Sequence, residues 1–376
     1  MAKSAAKVSA GRGVLLMVGT RRGAFLLSSD TKRTKWKVEG PLFGGWEVHT
    51  MALDRSAGRK PVLLAGVSSP WWGPQLHRSE DLGKKWKLAT NGLAFGKRSG
   101  HTLKKAWKLE AGTGAHEGVV YAGVEPAALF RSDDRGGSWT ELKGLTSHST
   151  RGKWMPGAGG LMVHHVSPDP RDGKRLMVAI SAAGAFETTD GGKTWAPRNR
   201  GVRSDFLPEK FPEVGQCVHS LMRSPADPDF FVQQNHCGFY VTSDPEKGWA
   251  DRSRGLPSRF GFPVAAHPLD AGTIYAIPVD GNPKSMTRAF IGGKMAVWRT
   301  KDRGKKWERC AKGLPQEQAW TGVLRGAMAM DGLPEPGLYF GTNNGQLFMS
   351  DDGGSSYRAV QEMLPPIYSV STAVLS

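Results

Sequence analysis

Three histidines at matching positions of repeated segments are the side chains in this sequence that best suit chemistry. His49, His164 and His219 each precede by six residues the proline, or its equivalent, that ends an apolar segment. Lys105 occupies the corresponding position of a further segment. Because equivalent positions of repeated strands point to the same side, we expect three imidazoles and an amine to converge at one place.

Two kinds of chemistry suit that convergence. Imidazole is the commonest protein ligand of divalent transition metals, and a site made of His49, His164 and His219 leaves a coordination position open. Without a metal, one histidine carries a proton while Lys105 or Arg325 holds a carboxylate. Arg325 stands one position out of register, so it reaches the others only if its strand has a bulge. A third interpretation, in which the histidines are hydrogen-bonded fillers of a channel, stays open.

Further polar and aromatic residues lie in the connections next to these segments. Asn235 and His236 belong to a QNHCG stretch, and Trp71 and Trp72 belong to SSPWWGP, where exposed indoles can stack on sugar rings. Glu317 is one of several loop carboxylates that suit glycoside hydrolysis, which needs a pair of carboxyl groups about 5–10 Å apart. We predict that these five residues bind ligand.

A repeated octet positions all of these residues, and its clearest copy is TTDGGKTW at 188–195. Its aspartate accepts backbone N–H bonds in a turn, its glycines permit positive φ, and its tryptophan begins a strand. The aspartates of seven copies are 51, 53, 56, 54, 58 and 50 residues apart, a period typical of propeller blades. They are Asp30, Asp81, Asp134, Asp190, Asp244, Asp302 and Asp352.

This pattern resembles the Asp-box, or BNR-repeat, family, which includes sialidases, sortilin-type propellers, xyloglucanase-type glycosidases and photosystem assembly propellers. The resemblance covers nearly the whole chain and implies an all-β fold, a seven-bladed β-propeller of four-stranded blades. It selects no function, because the superfamily contains both hydrolases and binding scaffolds. The sequence lacks the Arg-Ile-Pro signature of true sialidases, which have six blades, so we do not expect sialic acid cleavage.

The chain enters the repeat late. Residues 14–20 match the second strand of the other blades, so the first blade lacks its own first strand. We predict that the C-terminal strand at 367–375 completes that blade and closes the ring, which removes exposed strand edges. The predicted organisation is a basic N-terminal tail at 1–12 and a single propeller at 13–376.

Charge and composition limit the partners. The net charge is +17, and much of the lysine and arginine lies in or beside the octets. That face is either a solvated surface or a site for an anionic polymer, and no nucleic-acid recognition motif accompanies it. Three cysteines do not suggest a disulfide framework. No apolar run could span a membrane and none resembles a signal peptide, so we expect a cytoplasmic protein.

Together these features predict a hydrolase or lyase that acts on a saccharide or small acidic ligand at the channel mouth. The histidine cluster would carry the chemistry, with or without one divalent transition metal. The alternative is a non-catalytic scaffold that docks a protein or an anionic partner. The sequence leaves open whether the chain is an enzyme.

Overall fold

The computed structural model describes residues 13–97, 99–282, 284–285 and 287–375, and the predicted basic tail at 1–12 lies outside them. This part of the chain forms 28 strands and very little helix. One short helix, α1 (Lys143–Thr146), and 3₁₀ turns at Gly114–His116, Arg151–Lys153 and Ile291–Gly293 lie in connections.

The strands follow one another in groups of four after an initial group of three. They are β1 (Gly13–Thr20), β2 (Gly23–Asp30), β3 (Lys37–Leu42); β4 (Glu47–Asp54), β5 (Val62–Ser69), β6 (Gly73–Ser79), β7 (Lys87–Leu88); β8 (Lys105–Ala111), β9 (Val120–Glu125), β10 (Ala128–Ser132), β11 (Thr140–Glu141); β12 (Met162–Asp169), β13 (Asp172–Ser181), β14 (Gly184–Thr188), β15 (Ala196–Pro197); β16 (Val218–Arg223), β17 (Phe231–Asn235), β18 (Gly238–Thr242), β19 (Ala250–Asp251); β20 (Gly261–Ala266), β21 (Ile274–Pro278), β22 (Val297–Thr300), β23 (Glu308–Cys310); β24 (Val323–Met330), β25 (Leu338–Thr342), β26 (Leu347–Ser350), β27 (Arg358–Gln361) and β28 (Ile367–Leu375).

Five of the sheets are four-stranded and antiparallel, and each takes its strands in chain order from β4 to β23. The remaining sheet has the order β27-β26-β25-β24-β28-β1-β2-β3. Its two four-stranded halves meet at one parallel bridge, between Gly326 and Ser369. The all-β class and the four-stranded sheets, which are typical of a propeller, are therefore as predicted.

The C-terminal strand joins the first strands of the chain. β28 pairs antiparallel with β1, from Gly13 opposite Leu375 to Thr20 opposite Ile367. It also contacts β24 on one side and β4 on the other. The strands β4, β8, β12, β16, β20, β24 and β28, called the inner strands below, contact one another in that order.

The octets form the turns that their residue types predict. Asp190 accepts hydrogen bonds from the backbone N–H groups of Lys193 and Thr194, at 3.0 Å each, and from the Thr194 hydroxyl at 2.6 Å. Thr188 donates its hydroxyl proton to Asp190 at 2.8 Å and accepts the N–H of Gly192 at 2.9 Å. Asp190 is thus a structural carboxylate, and its pKa is lowered first by the Thr194 hydroxyl.

The hydrophobic core lies between neighbouring sheets. For example, Tyr121 and Leu129 of one sheet pack with Val163 and Phe186 of the next, and all four are buried. The three cysteines are free and buried. Among the described residues, no helix has the length and apolar character that crossing a membrane requires.

Candidate functional site

The inner strands surround a cavity of about 1150 Å³. It is lined by backbone and side chains from all seven inner strands and by residues of the connections that precede β12 and β16. A cavity of this size accommodates a small-molecule ligand. A residue that does chemistry on such a ligand has to line this cavity.

Each inner strand has a register irregularity of the β-bulge kind near its first residues. In β4 the pairing with β5 skips one residue between Val48 and Thr50, and the other six inner strands have similar shifts. A bulge redirects a side chain and often lies beside an active site. The skipped residues that line the cavity include His49, Trp107, His164, His219, Phe262, Arg325 and Tyr368.

Gly19 in β1 and Gly123 in β9 let the bulged inner strand of the neighbouring sheet approach closely. A Cβ on Gly19 would lie 2.5 Å from the carbonyl oxygen of Val48, next to His49. A Cβ on Gly123 would lie 2.5 Å from the carbonyl oxygen of Val163, next to His164. No side chain fits at such distances, so these two glycines set how closely the neighbouring inner strand, with its histidine, approaches.

His49 belongs to a small polar group on one side of the cavity. Its Nε2 lies 3.0 Å from Glu47 Oε2, and its ring stacks on Tyr368 with centroids 4.8 Å apart. The Lys105 amine lies 3.5 Å from the same carboxylate, and Tyr368 donates its hydroxyl proton to it at 3.4 Å. The hydrogen bond with His49 lowers the pKa of Glu47 to about 2, and the charge of Lys105 acts in the same direction. Burial lowers the pKa of His49, so this group contains an ionised carboxylate beside a neutral imidazole at pH 7.

His164 lies beside a second imidazole that the sequence did not single out. Its Nδ1 is 2.7 Å from Nδ1 of His165, and the other ring nitrogen of His165 is 3.2 Å from the Ser220 hydroxyl. Burial, followed by the charge of Arg325, holds the pKa of His164 well below its usual range. His164 is therefore uncharged at neutral pH and has a basic nitrogen to offer.

His219 is held in one tautomer. Its Nδ1 donates to the backbone carbonyl of Gly261 at 2.7 Å, so its Nε2 carries the lone pair. The ring stacks on Phe262 with centroids 4.8 Å apart and meets Phe260 edge-on. Burial and then Arg325 hold the pKa of His219 well below its usual range. The result is a fixed, neutral base in an aromatic setting.

Cys217 and His236 accompany His219. Their potential ligand atoms and that of His219 all lie within 4.8 Å of one another. Cys217 directly precedes β16, and His236 lies in the turn between β17 and β18, where its N–H donates to the Cys217 carbonyl at 2.9 Å. His49 is not part of this cluster, so the structure does not bring the predicted set of His49, His164 and His219 together around one point.

Arg325 lines the cavity, and its strand has the irregularity that this position required. The pairing of β24 with β25 is interrupted between Val323 and Met328, which includes this residue. Its Nη1 is buried and has no hydrogen-bond partner among the described residues. Burial lowers its pKa, and the only group that acts in the opposite direction is Cys217. No described carboxylate pairs with Arg325, so the cavity holds a cation whose counter-charge the described residues do not supply.

The other predicted site residues lie outside this group. Trp71 and Trp72 are exposed, at 87% and 71%, in the β5–β6 connection and do not line the cavity. Asn235 is buried and accepts the N–H of Cys237 at 3.2 Å, and Glu317 is exposed in the β23–β24 connection.

Sequence reasoning missed several residues that contribute to the cavity. Trp107, which donates to Glu125 at 3.0 Å, occupies the bulge position that the sequence gave to Lys105. Lys105 still lines the cavity two residues earlier, with its amine 5.1 Å from the Trp107 ring centroid. Tyr368 and His165 were also missed. The recurrence of one bulge in every repeat was the signal that could have identified Trp107 and Tyr368.

Comparison with known proteins supports the repeat family and the fold. A family model described as the BNR-Asp box repeat matches residues 129–142, which contain one of the octets. The resemblance to Asp-box propellers is thereby confirmed. No curated protein matches the sequence.

Solved structures similar to this one include enzymes and a peptide-bound protein. YCF48 bound to D1 peptide is 12% identical with a TM-score of 0.52, covering 95% of this chain and 96% of that one. A putative 6-phosphogluconolactonase from Bacteroides fragilis is 10% identical with a TM-score of 0.53, covering 98% and 99%. An ancestral GH74 enzyme is 13% identical with a TM-score of 0.52; the match covers 84% of this chain and only 38% of the enzyme. At these identities the likeness concerns the fold alone.

Proposed function

We propose that this chain is a closed seven-bladed propeller that binds a small organic acid, such as an acidic saccharide, at its channel mouth and acts on it as a hydrolase or lyase. The pairing of β28 with β1, and its contacts with β24 and β4, support the closed ring. Seven inner strands, each with a register shift near its first residues, support seven blades. The similar structures include enzymes as well as a peptide-bound protein, so the function rests on the site itself.

The observation that carries this proposal is that Nη1 of Arg325 is buried without a hydrogen-bond partner and that no described carboxylate pairs with this guanidinium. A buried charge without a partner is costly, and proteins normally pair it. Arg325 faces a cavity large enough for a ligand, and no described carboxylate neutralises it. A carboxylate or phosphate of a ligand would supply the missing charge and accept the N–H groups of the guanidinium fork.

The groups around Arg325 suit acid–base chemistry on such an acid. His164 and His219 are neutral at pH 7 and can each take a proton from a carbon or water beside the bound carboxylate. The ionised Glu47 and neutral His49 form a second proton-transfer pair across the cavity. The rings of Trp107, Phe262 and Tyr368 offer flat apolar surface to a sugar ring. These residues would bind the substrate, orient it and move its protons.

A binding panel tests the proposal. Galacturonate, gluconate, citrate and inorganic phosphate are titrated into the protein by calorimetry, with neutral galactose as the uncharged comparison. The account predicts that at least one acid binds, that galactose binds more weakly, and that Arg325→Gln loses the acid. Arg59→Gln, an exposed arginine between β4 and β5, is the matched control and should bind like the parent. An acid that binds Arg325→Gln as tightly as the parent would refute the assignment.

A second candidate function is docking of a protein partner on the rim around the mouth. Large apolar side chains are exposed in connections on the side where the inner strands begin. They are Trp71, Trp72, Met155, Phe206, Phe211, Trp320 and Met363. Exposed apolar patches that contain aromatic side chains mark binding surfaces. The double variant Trp71→Ser/Trp72→Ser would lose such a partner and keep the acid, which separates the two functions.

A further inference from the structure

Cys217, His219 and His236 form the group of three potential metal ligands that the structure brings together. Their ligand atoms lie within 4.8 Å of one another, and the three residues come from two neighbouring places in one sheet. Thiolate and imidazole are the donors that zinc and similar borderline metals prefer.

His219 makes the hydrogen bond that metal-bound histidines make with their other ring nitrogen. Metal-bound histidines almost always donate their other ring N–H to a carboxylate or a backbone carbonyl. Nδ1 of His219 donates to the carbonyl of Gly261 at 2.7 Å, which leaves the Nε2 lone pair for a metal. Phe262 stacks on the ring and Phe260 meets it edge-on, so the orientation of the imidazole is fixed before anything binds.

His236 and Cys217 are placed opposite each other by the backbone. The bond from the His236 N–H to the Cys217 carbonyl, 2.9 Å long, ties the β17–β18 turn to the start of β16. Neither ring nitrogen of His236 has a hydrogen-bond partner within the described part of the chain, and its ring meets Phe206 and Phe260 edge-on. The Cys217 sulfur lies 3.5 Å from the Ser181 hydroxyl, a contact that suits a thiolate acceptor.

The distances between the three ligand atoms are close to those around a bound zinc ion. Zinc–nitrogen and zinc–sulfur bonds of about 2.0–2.3 Å in a tetrahedron give ligand–ligand distances of roughly 3.3–3.8 Å. The present spread of up to 4.8 Å therefore has to shrink by about 1 Å when the ion binds. Three protein ligands leave the fourth position to the cavity, which the three residues line. That arrangement is typical of a catalytic rather than a structural metal site.

We propose that Cys217, His219 and His236 bind one divalent transition metal, for which zinc is the best match, with its fourth position open to the cavity. This assignment stands on its own ligands and does not depend on acid binding by Arg325. It replaces the sequence-based set of His49, His164 and His219 by one that shares only His219.

Metal titration tests the site. Protein treated with chelator is titrated with Zn²⁺ by calorimetry and with Co²⁺ by absorption. We expect one ion per chain, thiolate-to-cobalt absorption in the near ultraviolet, and a loss of at least about 100-fold in affinity in Cys217→Ser and His236→Ala, because each removes a direct ligand. Cys310→Ser, a buried cysteine of β23, and His101→Ala, an exposed histidine, are the matched controls and should bind as the parent does.

Three results would overturn the proposal. The first is the absence of saturable Zn²⁺ binding, and the second is binding that Cys217→Ser and His236→Ala leave unchanged. The third is binding that depends on His49 and His164, which would restore the set predicted from the sequence. Circular dichroism and a cooperative melt establish that each variant is folded. His236→Gln provides a second test at a turn position where the side chain makes no hydrogen bond. Acid binding is measured separately with and without metal, so the failure of one proposal leaves the other open to its own test.

Discussion

Replacing Arg325 by methionine should make the ligand-free protein more stable and at the same time weaken acid binding. The guanidinium lines the cavity, its Nη1 is buried without a partner, and no described carboxylate balances its charge. Methionine fills similar space without a polar group. Removing a residue that holds the fold together destabilises the protein. Removing one that is kept for binding stabilises the protein, because an unsatisfied buried group is lost.

The expected changes in stability and in acid affinity follow from the hydrogen bonds that the Arg325 guanidinium lacks or makes. A buried donor without a partner costs about 1–3 kcal/mol, or more if charged, and the cavity solvates part of this side chain, so we take that range as the gain on removal. Unfolding entropy of about 2.1 cal/mol/K per residue over 376 residues makes 1 kcal/mol equal to roughly 1.3 °C. The melting temperature should therefore rise by about 1–4 °C. Loss of a hydrogen bond to a charged group, about 1.5–3 kcal/mol, weakens acid binding by roughly 10–150-fold.

Differential scanning calorimetry of the parent and of Arg325→Met gives the change in melting temperature. Titration with the acid found in the binding panel gives the change in affinity. Arg59→Met, an exposed arginine in the β4–β5 connection, is the matched control and should change neither. A melting temperature that falls by several degrees in Arg325→Met would show that the guanidinium holds the fold together, and the reasoning would be refuted.

The remaining predictions concern closure, pH and the octets. Arg33, after β2, pairs with the buried Asp331, after β24, at 2.9 Å, so Arg33→Ala should cost about 3–5 kcal/mol of stability because that carboxylate is left without a counter-charge; a melt within a degree of the parent would contradict this. Deleting residues 367–376 should abolish cooperative unfolding by removing β28, and an unchanged melting temperature would refute closure by this strand. The pKa of Glu47 is about 2, below its ordinary 4.5, so its stabilising effect is complete above about pH 4.5 and is lost as the pH falls towards 2. Glu47→Gln should therefore lose less stability than the parent between pH 4.5 and 2.5, and parallel stability curves would contradict the assignment. Asp190→Ala should lower the melting temperature without changing acid binding, since this carboxylate only closes a turn; an equally large loss of binding would contradict that role.

The octets allowed the architecture to be predicted because each of their residues acts locally. Asp190 and Thr188 bond within their own turn, so their spacing alone indicates the structure. The equivalence of His49, His164 and His219 also followed from the repeat, and all three occupy bulges. The position of Arg325 in the repeat showed that it could reach the cavity only through a bulge, although the bulge itself could not be predicted.

The site itself could not be assembled from the sequence because it depends on bulges and on contacts between sheets. The bulge of β8 lies at Trp107, two residues after Lys105, so counting back from the end of the segment gave the wrong residue. The proximity of His236 to Cys217 depends on a turn that bonds to the start of another strand. Equivalent positions show which residues face the channel, but they do not show which of those residues touch one another.

A crystal structure of the protein grown with the acid that binds most tightly in the panel would show directly whether Arg325 holds the ligand. The account predicts a carboxylate or phosphate oxygen within hydrogen-bond distance of Arg325 Nη1, and the body of the ligand beside His164 and His219. An acid bound only on the outer surface, with Arg325 paired to a carboxylate of the protein, would contradict it.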